Sequence, residues 1–361
     1  MSIRNCRYRT GQILAATACA VPVLFIFSAA AQETISKSPA DSNKDATAFE
    51  VFQGPQFKNV VVPTYPLQQL QEGVEGWINV GFMVDPKGKP YELTVVDAST
   101  DNKGLKKAAL DAVEKWTFDP ATLNGEPIDS AISRKIVFII GNGEKGANAD
   151  FVRAYRSYNK AITSKDKVAA DAAMKNLKIK NLYEDAFYGL CQYQYARLWG
   201  NEEEQLAGVR RAVAREDTAK YLPKDVFLSA LQTELRLEAK TQDFASAILT
   251  WHVLQKAGAD KATLDELKPG IDQMLVLKTD GRSYKVSGQL VDGSWNYFLF
   301  KKRFRIAVSE GHVSQLKLRC DKKYIFFNFD STLEYRIADK YGSCGLEVVG
   351  DSDAKFELIQ S

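Results

Sequence analysis

The stretch Glu75-Gly76-Trp77-Ile78-Asn79-Val80-Gly81-Phe82-Met83-Val84-Asp85 alternates in polarity. Ile78, Val80, Phe82 and Val84 share one face, with Asn79 and Gly81 on the other, which is the pattern of a half-buried strand. Asp85-Pro86-Lys87-Gly88 reads as a turn: proline presets φ and glycine tolerates φ > 0. Tyr91 to Ala98 follows as the second strand of a hairpin. Leu105, Ala108, Ala109, Ala112, Val113 and Trp116 then recur at helical spacing, opposite Lys106, Lys107, Asp111 and Glu114. The alanines let this helix lie close to a sheet, and Pro120 is expected to stop it. Ile132 to Ile140 reads as the last strand. The spacing predicts a ββαβ unit, a small antiparallel sheet with a helix on one face.

Upstream, residues 32–54 are mostly polar and are expected to form a flexible leader. Residues 1–31 read as an export segment. Arg4, Arg7 and Arg9 form a basic start, Ile13 to Phe27 is apolar, and Ala29-Ala30-Ala31 supplies a small-residue cleavage site. The alternative is retention as an inner-membrane anchor, since the apolar run is about long enough to span a bilayer. Either way the arginines stay cytoplasmic and the remaining chain crosses the membrane.

Downstream, a glycine-rich linker at 143–149 leads into a region at 150–277 that is helical throughout. Three hairpin-like pairs are predicted: Phe151–Ser164 with Lys167–Leu177, Tyr183–Trp199 with Glu202–Arg215, and Asp225–Lys240 with Phe244–Gln255. A last helix is expected near Leu264–Leu275. The pairs recur at a period of roughly 35–41 residues, close to that of tetratricopeptide (TPR) units. Residues 278–361 then read as eight short strands, a small all-β domain of sandwich or barrel type. Two of the three cysteines left after export, Cys320 and Cys344, lie in this segment. An exported chain permits disulfides, so they are predicted to pair, the alternative being two separately buried thiols. Lys301-Lys302-Arg303 with Arg305 is a basic cluster, read as a solvated strand turn over a core edge, the alternative being a contact for an acidic partner or lipid phosphate. The fold class is thus α+β multidomain: ββαβ, then TPR-like helical hairpins, then all-β.

Residues 63–140 resemble the C-terminal domain of the TonB family. The features that carry the resemblance are Tyr65-Pro66, Glu75-Gly76 before a strand ending Val84-Asp85, and Gly88 before the second strand. It also rests on Ala112-Val113-Glu114-Lys115-Trp116-Thr117-Phe118-Asp119-Pro120-Ala121 with Asn124-Gly125 after it. The domain bounds expected are 55–142. The resemblance implies a periplasmic domain that binds outer-membrane transporters by pairing its last strand with a partner peptide, which lets energy from the inner membrane open them. In that mode main-chain hydrogen bonds give affinity and alternate side-chain pockets give selection. The implied partner-binding residues are Ser133, Lys135, Val137 and Ile139 on the edge, with Tyr65 and Pro66 at its entry. Two features depart from the family pattern. No long proline-rich spacer precedes the domain, so residues 32–62 reach at most about 3.3–3.6 Å each. In addition, residues 141–361 follow it.

No catalytic constellation is evident. Lys and Arg number 48 against 45 Asp and Glu. Three of the arginines fall in the acid-free export segment, so the remainder is neutral and no nucleic-acid partner is expected. His252 and His312 lack ligand-spaced neighbours, so no metal is expected. Gly141-Asn142-Gly143-Glu144-Lys145-Gly146 fits a dinucleotide fingerprint. However, only helices follow it and Glu144 would oppose a pyrophosphate, so no cofactor is expected and the run reads as linker. The sequence therefore predicts a non-enzymatic periplasmic protein that binds a protein partner by strand addition, a TonB-dependent transporter being the partner implied. Membrane contact is expected only through an uncleaved N-terminal segment. The alternative is an envelope scaffold that does not touch transporters.

Overall fold

The computed structural model describes residues 50–141, 146–214 and 221–361. The export segment, the leader up to residue 49 and positions 142–145 of the glycine run lie outside the described residues. Ten strands and helices make the first part: β1 (Phe52–Gln53), β2 (Gln56–Asn59), α1 (Leu67–Glu72), β3 (Gly76–Val84), β4 (Pro90–Ala98), α2 (Lys103–Val113), β5 (Thr117–Asp119), β6 (Ala121–Leu123), β7 (Glu126–Ile128) and β8 (Ser130–Phe138). The predicted ββαβ unit is β3-β4-α2-β8, an antiparallel sheet in the order β4-β3-β8.

On one face of that sheet, Ile78, Val80, Phe82 and Val84 are fully buried against Leu105, Ala109 and Val113 of α2. Asn102 caps α2 by accepting from the Leu105 N–H at 3.0 Å. The helix ends at Val113, well before Pro120. There the chain tightens into a turn, with Trp116 N donating to Val113 O at 3.0 Å. This drops Trp116 into the core, where its indole donates to Val61 O at 2.8 Å. Thr117–Asp119 can then pair with β2, so side-chain burial stops the helix and Pro120 does not. Residues 52–53, assigned by sequence to the leader, pair with β6.

The second face departs from the half-buried expectation. Trp77, Gly81 and Met83 are buried too. What covers them comes from later in the chain.

Among the described residues seven α-helices follow: α3 (Ala149–Ser164), α4 (Lys167–Asn176), α5 (Leu182–Trp199), α6 (Glu202–Val213), α7 (Lys224–Lys240), α8 (Phe244–Lys256) and α9 (Lys261–Thr279). Their starts agree with the sequence reading because six of them carry a side-chain cap: Asn148, Asp166, Asn181, Asn201, Asp243 and Asp260. Pairs α3–α4, α5–α6 and α7–α8 pack as expected. Gly189 and Gly208 let α5 and α6 approach closely, since a Cβ on Gly189 would lie 2.5 Å from Ala212 N and one on Gly208 2.4 Å from Tyr193 N.

The remaining strands are β9 (Tyr284–Gln289), β10 (Ser294–Phe298), β11 (Arg303–Glu310), β12 (Val313–Cys320), β13 (Lys323–Asn328), β14 (Tyr335–Arg336), β15 (Cys344–Gly350) and β16 (Lys355–Gln360). They form two antiparallel sheets, β10-β15-β12-β13 and β14-β11-β16-β9. Leu316, Leu318 and Val348 of one meet Phe304, Ile306 and Leu358 of the other in a common core. Cys320 and Cys344 are opposite each other on β12 and β15 and are disulfide-bonded. The basic cluster divides: Arg303 and Arg305 are exposed, as a solvated strand turn requires, but the two lysines are not. Lys301 is 3% exposed and donates to the Asp280 and Arg282 carbonyls, while Lys302 donates to Gly342 O. These lysines staple the end of α9 and the 339–342 turn to the sandwich.

Replacing both Cys320 and Cys344 by alanine should lower the stability of the β domain by about 3 kcal/mol in the chain-entropy model. Chemical denaturation of both proteins under non-reducing conditions measures this. An unchanged midpoint would show that the bond contributes nothing.

Candidate functional site

β8 is an edge strand: on one side it pairs with β3, and among the described residues no strand pairs with the other. The direction of its main-chain groups follows from Trp77. Trp77 N donates to Ser99 Oγ at 2.8 Å, and Ser99 N donates to Trp77 O at 3.0 Å. Trp77 therefore points its main chain towards β4. Antiparallel strands alternate, so Ile78, Val80, Phe82 and Val84 point theirs towards β8. Their partners Ile136, Arg134, Ile132 and Ser130 point back. Ala131, Ser133, Lys135 and Val137 consequently direct their N–H and C=O groups to the outer edge.

These four residues turn their side chains to the second face of the sheet, because Trp77 and Asn79 on that face oppose Val137 and Lys135. Lys135 confirms the direction: its ammonium sits 4.2 Å from the centre of the Trp77 ring and donates to Ala214 O, where α6 ends. Ser133 is exposed and Ile139 is half-buried just past the strand. Tyr65 and Pro66 flank the strand on the opposite, α2-bearing face. The Tyr65 ring meets Phe138 edge-on at 5.4 Å, and its hydroxyl donates to Val74 O. Pro66 precedes α1 and, with Val62, Thr64, Ala108 and Lys115, lines a groove of about 320 Å³ against α2. The six residues named from sequence thus do not form one patch. They lie on both sides of one edge.

Sequence reasoning missed the residues that surround that edge. Arg134 lays its guanidinium over Phe57, 4.9 Å from the ring centre, beside β8 on the α2 face. On the second face, Arg211 of α6 donates to Ser99 O and to Asp185, each at 2.7 Å. Glu75, 5% exposed, accepts from Ile140 N at 2.9 Å and from Leu182 N at 3.3 Å, at the start of α5. The other end of the same face receives the β domain. Glu92 faces Lys317 and Arg319 of β12 at 3.5 and 4.0 Å, and Tyr91 meets Tyr324 of β13 edge-on at 5.8 Å. Burial and the Asp129 carboxylate raise the Tyr91 hydroxyl above its ordinary pKa.

Next to Arg211, Arg210 gathers three carboxylates: Glu238 at 2.8 Å, Asp243 at 2.6 Å and Glu234 at 3.9 Å. One guanidinium cannot neutralise all three. Burial, with Glu238 alongside, pushes Glu234 up to about 8 despite Arg210. Burial pushes Asp185 up to about 6 against the pull of Arg211. Among the described residues no group of three or more His, Cys, Asp or Glu is placed to hold a metal ion. His252 Nδ1 lies 3.4 Å from Gln255 Oε1.

Residues 61–140 match the family described as Gram-negative bacterial TonB protein C-terminal. Protein TonB of Xanthomonas campestris pv. campestris is 36% identical over 69 residues, 19% of this chain and 30% of that protein. Protein TonB of Vibrio cholerae serotype O1 is 30% identical over 78 residues, 22% of this chain and 32% of that protein. The chain thus spans about a third of the curated relatives it matches. The solution NMR structure of Pseudomonas aeruginosa TonB CTD is 20% identical, covers 25% of this chain and 90% of its own, and has a TM-score of 0.23. The TonB2 protein of Vibrio anguillarum is 25% identical, covers 31% and 100%, and has a TM-score of 0.21.

The raised carboxyls set a pH dependence. At low pH both folded and unfolded chains hold these protons, so the sites cost nothing. As pH rises the unfolded chain ionises first, Glu234 from its ordinary 4.5, while the folded chain keeps its proton up to about 8. Stability therefore falls across that interval and levels above it. Tm should be several degrees lower at about pH 8 than at about pH 5, on the order of a few kcal/mol of stability. Glu234→Gln should flatten the upper part of the slope. An unaltered slope in that variant would mean Glu234 is already ionised in the fold.

Proposed function

We propose that this chain is a non-enzymatic periplasmic adaptor whose TonB-like part, residues 55–142, takes up a partner strand on the outer edge of β8. The observation that carries this is that β8 ends the sheet order β4-β3-β8 among the described residues, in a segment that matches the TonB C-terminal family. Main-chain N–H and C=O groups pointing outward at every second residue suit an extended peptide, which completes the ladder as a fourth strand. The partner we assign is the exposed N-terminal segment of a TonB-dependent outer-membrane transporter. Ser133, Lys135 and Val137 supply main-chain groups to the added strand, and Ile139, Tyr65 and Pro66 border its end. Energy-dependent transport follows from this reading only if residues 1–31 remain as an inner-membrane anchor. Among the described residues no helix is long and apolar enough to cross a membrane. The TPR-like region 150–277 holds a second partner.

A second reading, an envelope scaffold that does not contact transporters, draws on the covered second face of the sheet. A domain whose rear is occupied by its own chain is built into a fixed assembly. Light scattering of the purified chain separates the two. A stable oligomer that shields the 133–140 edge from hydrogen exchange favours the scaffold.

The full-length exported chain should bind labelled peptides copied from transporter N-terminal segments with a Kd tighter than about 1 mM. Val137→Pro removes an outward N–H while leaving the β3 ladder intact, because the Val137 main chain does not pair with β3. It should weaken binding about tenfold, or 1.4 kcal/mol. Saturation binding that is indifferent to Val137→Pro would place the peptide elsewhere, and no binding by the folded chain sinks the transporter reading.

A further inference from the structure

Lys135 belongs to two structures at once. Its main chain is directed to the outer edge of β8, while its side chain crosses Trp77 and ends on Ala214 O, the carbonyl that closes α6. Glu75 makes a second connection at the end of the same strand. One carboxylate oxygen accepts from Ile140 N just beyond β8, and the other accepts from Leu182 N in the first turn of α5. There the carboxylate also faces the positive end of the helix dipole. The Glu75 main-chain N–H donates to Lys180 O at 2.6 Å, beside the Asn181 cap. A third tie, Arg211 to Ser99 O, reaches the residue that pairs with the Trp77 main chain. The two helices that receive these ties are locked together through Gly189 and Gly208, so they respond as one body.

We propose that strand addition at β8 and docking of the α5–α6 pair are one coupled equilibrium, transmitted by Lys135 and Glu75. This rests on the strand-addition reading given above. A strand added to the outer edge restricts the main chain of Lys135. It thereby restricts the side chain that holds α6, and the strand end that Glu75 holds to α5. Coupling free energies are reciprocal. Whatever factor the added strand contributes to holding α5–α6 in place, the docked helices contribute the same factor to holding the strand. The helical region is then a reporter of occupancy, and its own partner tunes the affinity of an edge that it does not touch. Lys135 and Glu75 are positioning residues in this scheme, since neither side chain contacts the added strand.

The test is hydrogen exchange followed by mass spectrometry on the full-length exported chain, in two arms. In the first, no peptide is present. Lys135→Met keeps the apolar stem over Trp77 and removes the ammonium, and Glu75→Gln removes one of two accepting oxygens. Each should raise exchange about fivefold in β8 and, together with it, at the C-terminal turn of α6 or the first turn of α5. A rise confined to β8, or none, overturns the proposal, provided circular dichroism shows the variant folded. In the second arm, a saturating transporter-derived peptide should slow exchange in α5 and α6 of the wild type but not of the variant carrying both Lys135→Met and Glu75→Gln. That variant should also bind the peptide about fivefold more weakly. Binding that protects β8 and leaves α5–α6 unchanged overturns the coupling while the strand-addition reading stands. If no peptide binds, the strand-addition reading fails, and the first arm alone decides whether β8 and the helices are coupled.

Discussion

β3 is buried on both faces, and the rest of the molecule is arranged around that fact. One face holds Ile78, Val80, Phe82 and Val84 against α2, as a small sheet-and-helix unit requires. The other holds Trp77, Gly81 and Met83 beneath α6 at one end and β12–β13 at the other. A three-stranded sheet has little core of its own, so covering its second face adds apolar burial that a free domain of this size would lack. Glycine at position 81 serves the same end: a Cβ there would come within 2.7 Å of the Val96 side chain. The three parts of the chain therefore meet on one strand instead of hanging from linkers.

Charge at this meeting place is concentrated on two adjacent arginines. Arg211 faces the sheet, through Ser99 O and Asp185, while Arg210 faces the helices, through Glu238, Asp243 and Glu234. Neighbours on a helix point in different directions, so one turn of α6 serves both sides. Arg210 is outnumbered, and one carboxylate oxygen of Glu238 is buried without a hydrogen-bond partner. Such a site is costly to bury unless a proton is retained. The junction holding the modules together is accordingly where the protein responds to pH, whereas the strand edge is built from main-chain groups that do not titrate.

Most of the fold was legible in the sequence. The helices follow their caps and apolar stripes, and the eight strands of the last part follow their alternation and turns. The Cys320–Cys344 bond follows from two thiols in one β segment. The fold departs from that reading where a side chain went to a distant partner. Trp116 ended its helix early to reach the core, and Lys301, read as a solvated charge, is buried against the Asp280 and Arg282 carbonyls. The candidate site was legible in part. Ser133, Lys135 and Val137 were picked out as an alternating set, but alternation gives only the side-chain period. That their main chains also face outward needed the Trp77–Ser99 hydrogen bonds.

The sequence by itself determined the local units: a ββαβ sheet resembling the TonB C-terminal domain, a run of paired helices and a β sandwich. Each is built from helices and strands whose side chains repeat at a fixed period, and that period is written in the sequence. Only the tertiary structure decided what covers the second face of β3, and so which side of β8 a partner can reach. Glu75 meets Leu182 across 107 residues, Arg211 meets Ser99 across 112, and Lys322 meets Glu50 across 272. A contact at that separation imposes no spacing on its neighbours. Nothing in the sequence around Glu75 points to α5, 107 residues away.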